Sequence, residues 1–350
     1  MISKKNYTKE HIDELRKNSK RDPILIERVL FAFGLLEALV RVETPFVFKG
    51  GTSLMLLLEK PTRLSTDIDI IVEPDIDIDY YLKKVAEIFP FKSFEEQIRK
   101  GKNKIVKRHF KIFYNSPTKD EIFHIVLDVV FENIKYGTII SKEINNQILL
   151  VEKPEIYVDV PSIEGILGDK LTAFAPHSIG ILLDANKPME IMKQLYDIYN
   201  LFEKTSDFRE VKETYRRVAE MEIGYRGLNA TYKDTLFDTA MSALNIVSKG
   251  KLEKNDFEEY LRGIAAVKSH IFLQNYSGEV ASLQACRVFY LAMCIWADKK
   301  EIMVKVDTKL YEDKRIENLK YSRLTYIKNS DIISFAYLYE GMQILNENHA

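Results

Sequence analysis

Two cysteines in 350 residues, Cys286 and Cys294, are too few to staple a fold. Eight positions apart in a helical-looking stretch, they read as buried thiols of a reducing compartment, not as a disulfide or a metal site. Net charge is equally scarce: 51 Lys and Arg against 52 Asp and Glu leave −1. No global basic field therefore advertises a nucleic-acid partner, and such a partner needs a local patch. No apolar run approaches the roughly 18 residues of a membrane helix. The opening MISKKNYTKEHIDELRKNSKRD is charged throughout and lacks the apolar stretch of a signal peptide. A cytoplasmic chain with no membrane partner is the expectation. Linkers rich in Gly, Ser or Pro, internal repeats and low-complexity tracts are missing too. What is present, 46% hydrophobic and 29% charged residues, describes a globular chain long enough for one large domain or two ordinary ones.

The first half mixes periods. PILIERVLFAFGLLEALVR (23–41) carries Ile24, Val29, Leu30, Phe33, Leu36 and Leu39 near helical spacing, and Pro23 suits a first turn. PFVFKGG reads as a short strand stopped by glycines, TSLMLLLE as a buried helix, and the alternating TDIDIIV as a strand. A helix is expected over 80–89, and strands over 104–115 and 123–132 as neighbours in one sheet. After Pro161, with Ser162 suited to a cap, helical periodicity dominates: 189–203, 208–221, 232–248, 256–270, 280–298 and 331–346. The expected class is α+β, with a mixed-sheet domain over 1–160 and a helical domain over 161–350 that completes a cleft with it.

KGGTSLMLLLEKPTRLSTDIDIIV (49–72) combines a bare glycine turn with two alternating aspartates. In a strand, residues two apart share a face, so Asp67 and Asp69 project together while Ile68 and Ile70 enter the core. Paired carboxylates repel unless a cation lies between them, and magnesium suits one or two carboxylates with phosphate oxygens and water. An exposed edge strand with solvated acids has the same pattern. Gly50-Gly51 ends a strand and opens a helix, where free N–H groups face a phosphate and Thr52 or Ser53 can add a hydroxyl. A purely structural turn is the alternative. A two-ion transfer wants a further acid, and Asp128, inside the apolar IVLDVVF, is the candidate. The rival cluster Asp75, Asp77 and Asp79 follows Pro74 and leads into a helix, so it reads as a solvated cap region.

KGGTSL followed by RLSTDIDI resembles the signature of the AbiEii/AbiGii nucleotidyltransferase toxins, a branch of the polymerase-β-like nucleotidyltransferase superfamily. Gly50, Gly51, Asp67, Asp69 and Asp128 fit its pattern of paired small residues, Asp-x-Asp and a later acid. GDKLTAF (168–174) resembles the next motif, with Asp169 and Lys170 at its acid and lysine positions. EIMKQLYDIYNL (190–201) resembles a third, matching at Lys193 and Asp197, with Glu190 and Gln194 in place of its arginine and first aspartate. The resemblance spans roughly 45–200. It implies a polymerase-β-like N-terminal domain that moves a nucleoside monophosphate from a nucleoside triphosphate to an RNA 3′ end, notably that of tRNA. It also implies Mg2+ in a two-ion site, and a toxin with a cognate antitoxin in a toxin–antitoxin or phage-defence pair. Asp67, Asp69 and Asp128 would hold the ions. Lys170, with Arg63 and Lys49, would neutralise the triphosphate. Gly50, Gly51, Thr52, Ser53, Arg63, Ser65, Lys193 and Asp197 would line the nucleotide site, although Ser65 also suits a turn and Asp197 a helical ion pair with Lys193. A protein or small-molecule hydroxyl as acceptor, and an inert binding module, are the other readings.

For the acceptor, KSFEEQIRKGKNKIVKRHFK (92–111) holds eight Lys and Arg against two Glu, with Phe94, His109 and Phe110 interleaved. Lys100, Lys102, Lys104 and Lys107 could follow an RNA backbone while an aromatic ring stacks a base. A solvated hairpin is the alternative. Residues 299–328 form a weaker candidate, with Lys314, Arg315, Lys320 and Arg323 near Tyr311, Tyr321 and Tyr326. His177, in APHSIGI, reads as a loop histidine with a structural partner more readily than as a ligand or base.

Overall fold

The computed structural model describes residues 1–98, 106–271 and 275–349; Lys100, Lys102 and Lys104 lie outside the described residues. The chain divides into two compact units, Met1–Ser162 with Ser269–Gln274, and Ile163–Lys268 with Asn275–Ala350. In the first, α1 (Lys9–Ser19) precedes α2 (Pro23–Arg41). Asp22 caps α2 by accepting from the Ile24 amide (2.7 Å), with Pro23 in the first turn. Strand β1 (Val47–Lys49) runs into α3 (Gly50–Leu57), which β2 (Ile68–Val72) and α4 (Ile78–Val85) follow. Asp77 caps α4 through the Tyr80 amide, and Asp79 binds Arg108 at 2.7 Å, so the second acidic cluster is a cap region as expected.

Strands β3 (Phe91–Glu96), β4 (Lys107–Asn115) and β5 (Ile122–Phe131) complete a mixed sheet of order β1-β2-β5-β4-β3, in which β2 and β5 are the parallel pair. One face is core. Phe110, Ile112 and Tyr114 of β4 and Ile125, Leu127 and Val129 of β5 are buried, and Tyr114 stacks on Phe31 of α2 with ring centroids 3.7 Å apart. The burial of Phe110 rules out its expected role in stacking a base. On the other face His109, Lys111 and Phe113 alternate with that core, as do His124, Val126, Asp128 and Val130, and all are half-exposed. A separate ribbon of β6 (Ile139–Glu143) and β7 (Tyr157–Pro161) is absent from the expected elements: β6 has no buried face to alternate, whereas the short β7 does bury Val158 and Val160.

The second unit is helical: α5 (Ile163–Ala173), α6 (Pro188–Phe202), α7 (Phe208–Arg226), α8 (Tyr232–Val247), α9 (Lys254–Val267), α10 (Gly278–Trp296), α11 (Ile327–Ser330) and α12 (Ile332–His349). Among the described residues α10 alone has the length and mean hydropathy (1.2) to cross a membrane, yet 78% of that window is buried. It is the core helix on which α8 and α12 pack, and it carries the free, buried Cys286 and Cys294. In the second basic stretch Tyr311 and Tyr321 are buried and unavailable for stacking.

His177 has the structural partners expected of it. Its Nδ1 lies 2.8 Å from Asp238 and its Nε2 2.8 Å from Asp256, joining the loop to α8 and α9. Arg226 holds the same loop by donating to the carbonyls of Ser178, Ile179 and Gly180. The Asp238 and Asp256 carboxylates push the imidazole from 6.5 up to about 9. A folded-state value above the unfolded one means that the clasp stabilises fully below pH 6.5 and fades as pH rises through about 9. Wild type and His177→Gln should therefore differ most in melting temperature at about pH 6 and converge above about pH 10. A difference that is constant across that range would assign the clasp no titrating role.

Candidate active site

A single row crosses the sheet. Lys49 of β1 pairs with Asp69 of β2, Asp69 with Asp128 of β5, and Asp128 with His109 of β4. Residues paired in register share a face, so these four side chains project from the half-exposed side. Strand neighbours lie about 4.8 Å apart, which makes Asp69 and Asp128 close enough to share an ion. Asp67 stands exposed just before β2, while Ile68 and Ile70 are fully buried, as the alternation requires. His109 is the member that sequence reasoning missed. Its Nδ1 lies 2.6 Å from Asp128 Oδ1. The available signal was its odd-numbered place on β4 with Lys107 and Lys111, legible only once β4 is paired with β5.

The glycine turn abuts this row. Gly50 has φ +82°, and a Cβ there would collide with the Asp69 carboxylate. A Cβ on Gly51 would lie 2.5 Å from Arg63 Nη2 and 2.9 Å from Ser65 Oγ. The turn therefore gathers Asp69, Arg63 and Ser65 around two bare α-carbons, and α3 starts without a capping side chain. Thr52 and Ser53 have a different job from the expected phosphate-directed hydroxyl. Both are fully buried, Thr52 donating to the Asp67 carbonyl (2.6 Å) and Ser53 to that of Gly50 (2.9 Å). The loop before β2 is held by the returning segment: the Leu64 amide donates to the His270 carbonyl at 2.8 Å, and Arg63 bridges Ile271.

In the helical unit Lys170 of α5 binds Asp197 of α6 at 2.9 Å, with side chains 9% and 0% exposed. Lys193 turns instead to Glu190, at 2.9 Å. The pairing of Asp197 with Lys193 that the helical spacing allows is thus replaced by one across two helices. Lys107 is exposed at the start of β4, and Arg108 points to the opposite face, bound to Asp79 and Glu96.

Among the described residues no three His, Cys, Asp or Glu side chains already form a cation cage. The donor set still fits a hard divalent ion. Asp69 and Asp128 offer carboxylate oxygens side by side, and magnesium-class ions take one or two carboxylates and complete their shell with water and phosphate.

The family profile described as "Nucleotidyl transferase AbiEii toxin, Type IV TA system" matches residues 34–270, more than half of the chain. No curated protein matches it in sequence. Among solved structures, JHP933 from Helicobacter pylori is similar at 15% identity and TM-score 0.44, over 78% of this chain and 93% of that one. An antigenic nucleotidyltransferase-like protein from Paracoccidioides brasiliensis is similar at 18% identity and TM-score 0.37, over 56% and 87%. Both scores fall below 0.5, so the family match alone bears on function.

Gly50→Ala is expected to lose about 1–3 kcal/mol, the usual cost of forcing a side chain into a strained backbone region, measurable by urea unfolding. Gly51→Ala, at a position without a positive φ, should cost less; equal losses would mean that the positive φ is not the constraint. Lys170→Met removes the ammonium from a buried carboxylate and should cost about 3–5 kcal/mol. An unchanged midpoint would show that the pair carries no structural weight.

Proposed function

Because the chain belongs to the AbiEii nucleotidyltransferase toxin family of type IV toxin–antitoxin systems, we propose that it moves a nucleoside monophosphate from a nucleoside triphosphate to an RNA hydroxyl. A tRNA 3′ end is the acceptor we favour. Family membership makes it a nucleotidyltransferase and implies a cognate antitoxin. The observation that carries the reading is the register of Asp69 against Asp128 beside the Gly50-Gly51 turn.

In this mechanism the acceptor hydroxyl attacks the α-phosphorus in line, a new phosphodiester bond forms, and pyrophosphate leaves. Asp67, Asp69 and Asp128 would hold Mg2+, which when bound offsets phosphate charge and activates the hydroxyl. The glycine turn lets the triphosphate approach the amides at the start of α3, where the helix dipole favours an anion. Arg63 and Ser65, packed against Gly51, would orient that phosphate group by donating to it. Lys49 at one end of the acid row adds positive charge on the same face. Lys107 and Lys111, which share the open face with His109, support a polyanionic acceptor over a cationic small molecule.

The test is to incubate the full chain with each labelled triphosphate, Mg2+ and total RNA or total protein, and to ask which fraction takes the label. Label in RNA, lost on replacing Asp67, Asp69 or Asp128 with Ala while the circular dichroism spectrum holds, is the expected outcome. Full transfer by Asp69→Ala would sink the site, and label confined to protein would replace the acceptor.

A further inference from the structure

We propose that His109 is a positioning residue that fixes the carboxylate of Asp128 for ion binding. This rests on the reading of Asp128 as an ion ligand. Asp128 lies between two strands, with Asp69 on the β2 side and His109 on the β4 side, each its partner in register. The imidazole meets Oδ1 at 2.6 Å, and the two side chains are 18% and 30% exposed. An ionised carboxylate can only accept, so Nδ1 carries the hydrogen and donates. That bond occupies one oxygen and leaves Oδ2 as the one the imidazole does not engage. It also sets the carboxylate plane, because the ring is anchored on a strand and its N–H is directional. Without it, Asp128 rotates freely about its side-chain bonds at a half-exposed position, and an ion must order it on binding.

Hydrogen bonds to ligating groups are worth about 10–100-fold in ion affinity. Within the basic stretch, His109 belongs to the acid row, whereas Arg108 beside it belongs to the ion pairs on the opposite face.

Mn2+ binding to the metal-free full chain, followed by electron paramagnetic resonance without nucleotide, reads this step apart from transfer. His109→Ala should bind Mn2+ about 10–100-fold more weakly. His109→Asn, whose amide nitrogen stands as many bonds from Cα as Nδ1 does, should restore most of that affinity; His109→Gln, one carbon longer, should not. Transfer by His109→Ala should recover as Mg2+ is raised. Wild-type Mn2+ affinity in His109→Ala overturns the proposal. So does a His109→Asn chain that binds Mn2+ normally but stays slow at saturating Mg2+, since the imidazole would then act on the reaction itself. If His109→Ala does not fold, His109→Phe keeps the ring volume without the N–H. Asp69→Ala separates the layers: weaker Mn2+ binding there with none in His109→Ala defeats only this inference, whereas no effect in either defeats the ion site.

Discussion

Two like charges stand side by side on neighbouring strands, and the parallel pairing of β2 with β5 holds them there. Asp69 faces Asp128 because Ile68, Ile70, Leu127 and Val129 are all fully buried on the other side of the same strands. Slipping either strand by one residue would turn its acid into the core and its apolar residues to water. The repulsion is therefore imposed by core packing, which is worth far more than one unfavourable carboxylate contact at a half-exposed position. On the β4 side, His109 Nδ1 meets Asp128 Oδ1 at 2.6 Å.

The glycine turn shows the same economy of position. A positive φ at Gly50 and the close approach of Asp69 require a residue without Cβ. Thr52 then ties α3 to the peptide of Asp67, so one hydrogen bond joins the helix after the turn to the segment that leads into β2. Thr52 and Ser53, which look like phosphate donors in sequence, give their hydroxyls to backbone carbonyls of this framework. Arg63 and Ser65, drawn in from the following loop, are the polar groups that reach the turn.

In the helical unit, charge is spent on architecture. Lys170 and Asp197 pair across α5 and α6 in nearly complete burial, and the His177 loop is clasped by Asp238, Asp256 and Arg226. Lys107 and Lys111 lie on the open face of the sheet.

Local pattern determined the elements that bury one face. Helix α2 spans the residues its apolar spacing and Pro23 indicated, the six later helical periods all appear, and the IDIIV of TDIDIIV is a strand with its isoleucines inside, Asp67 standing just before it. Periodicity sees these because burial and secondary structure share a repeat. Asp67, Asp69, Asp128 and the glycine pair were legible for the same reason: a carboxylate in an apolar strand and a bare strand-to-helix turn break the pattern. Strand β6 was not, since none of its residues is buried, and β7 was not although Val158 and Val160 are buried in alternation, because it is only five residues long. Nor were the partners. That His109 meets Asp128, that Lys170 rather than Lys193 meets Asp197, and that Phe110 is core depends on strand order and helix contact. Such contacts join residues 19 to 27 positions apart with no local repeat to record them, so only the folded chain decides them.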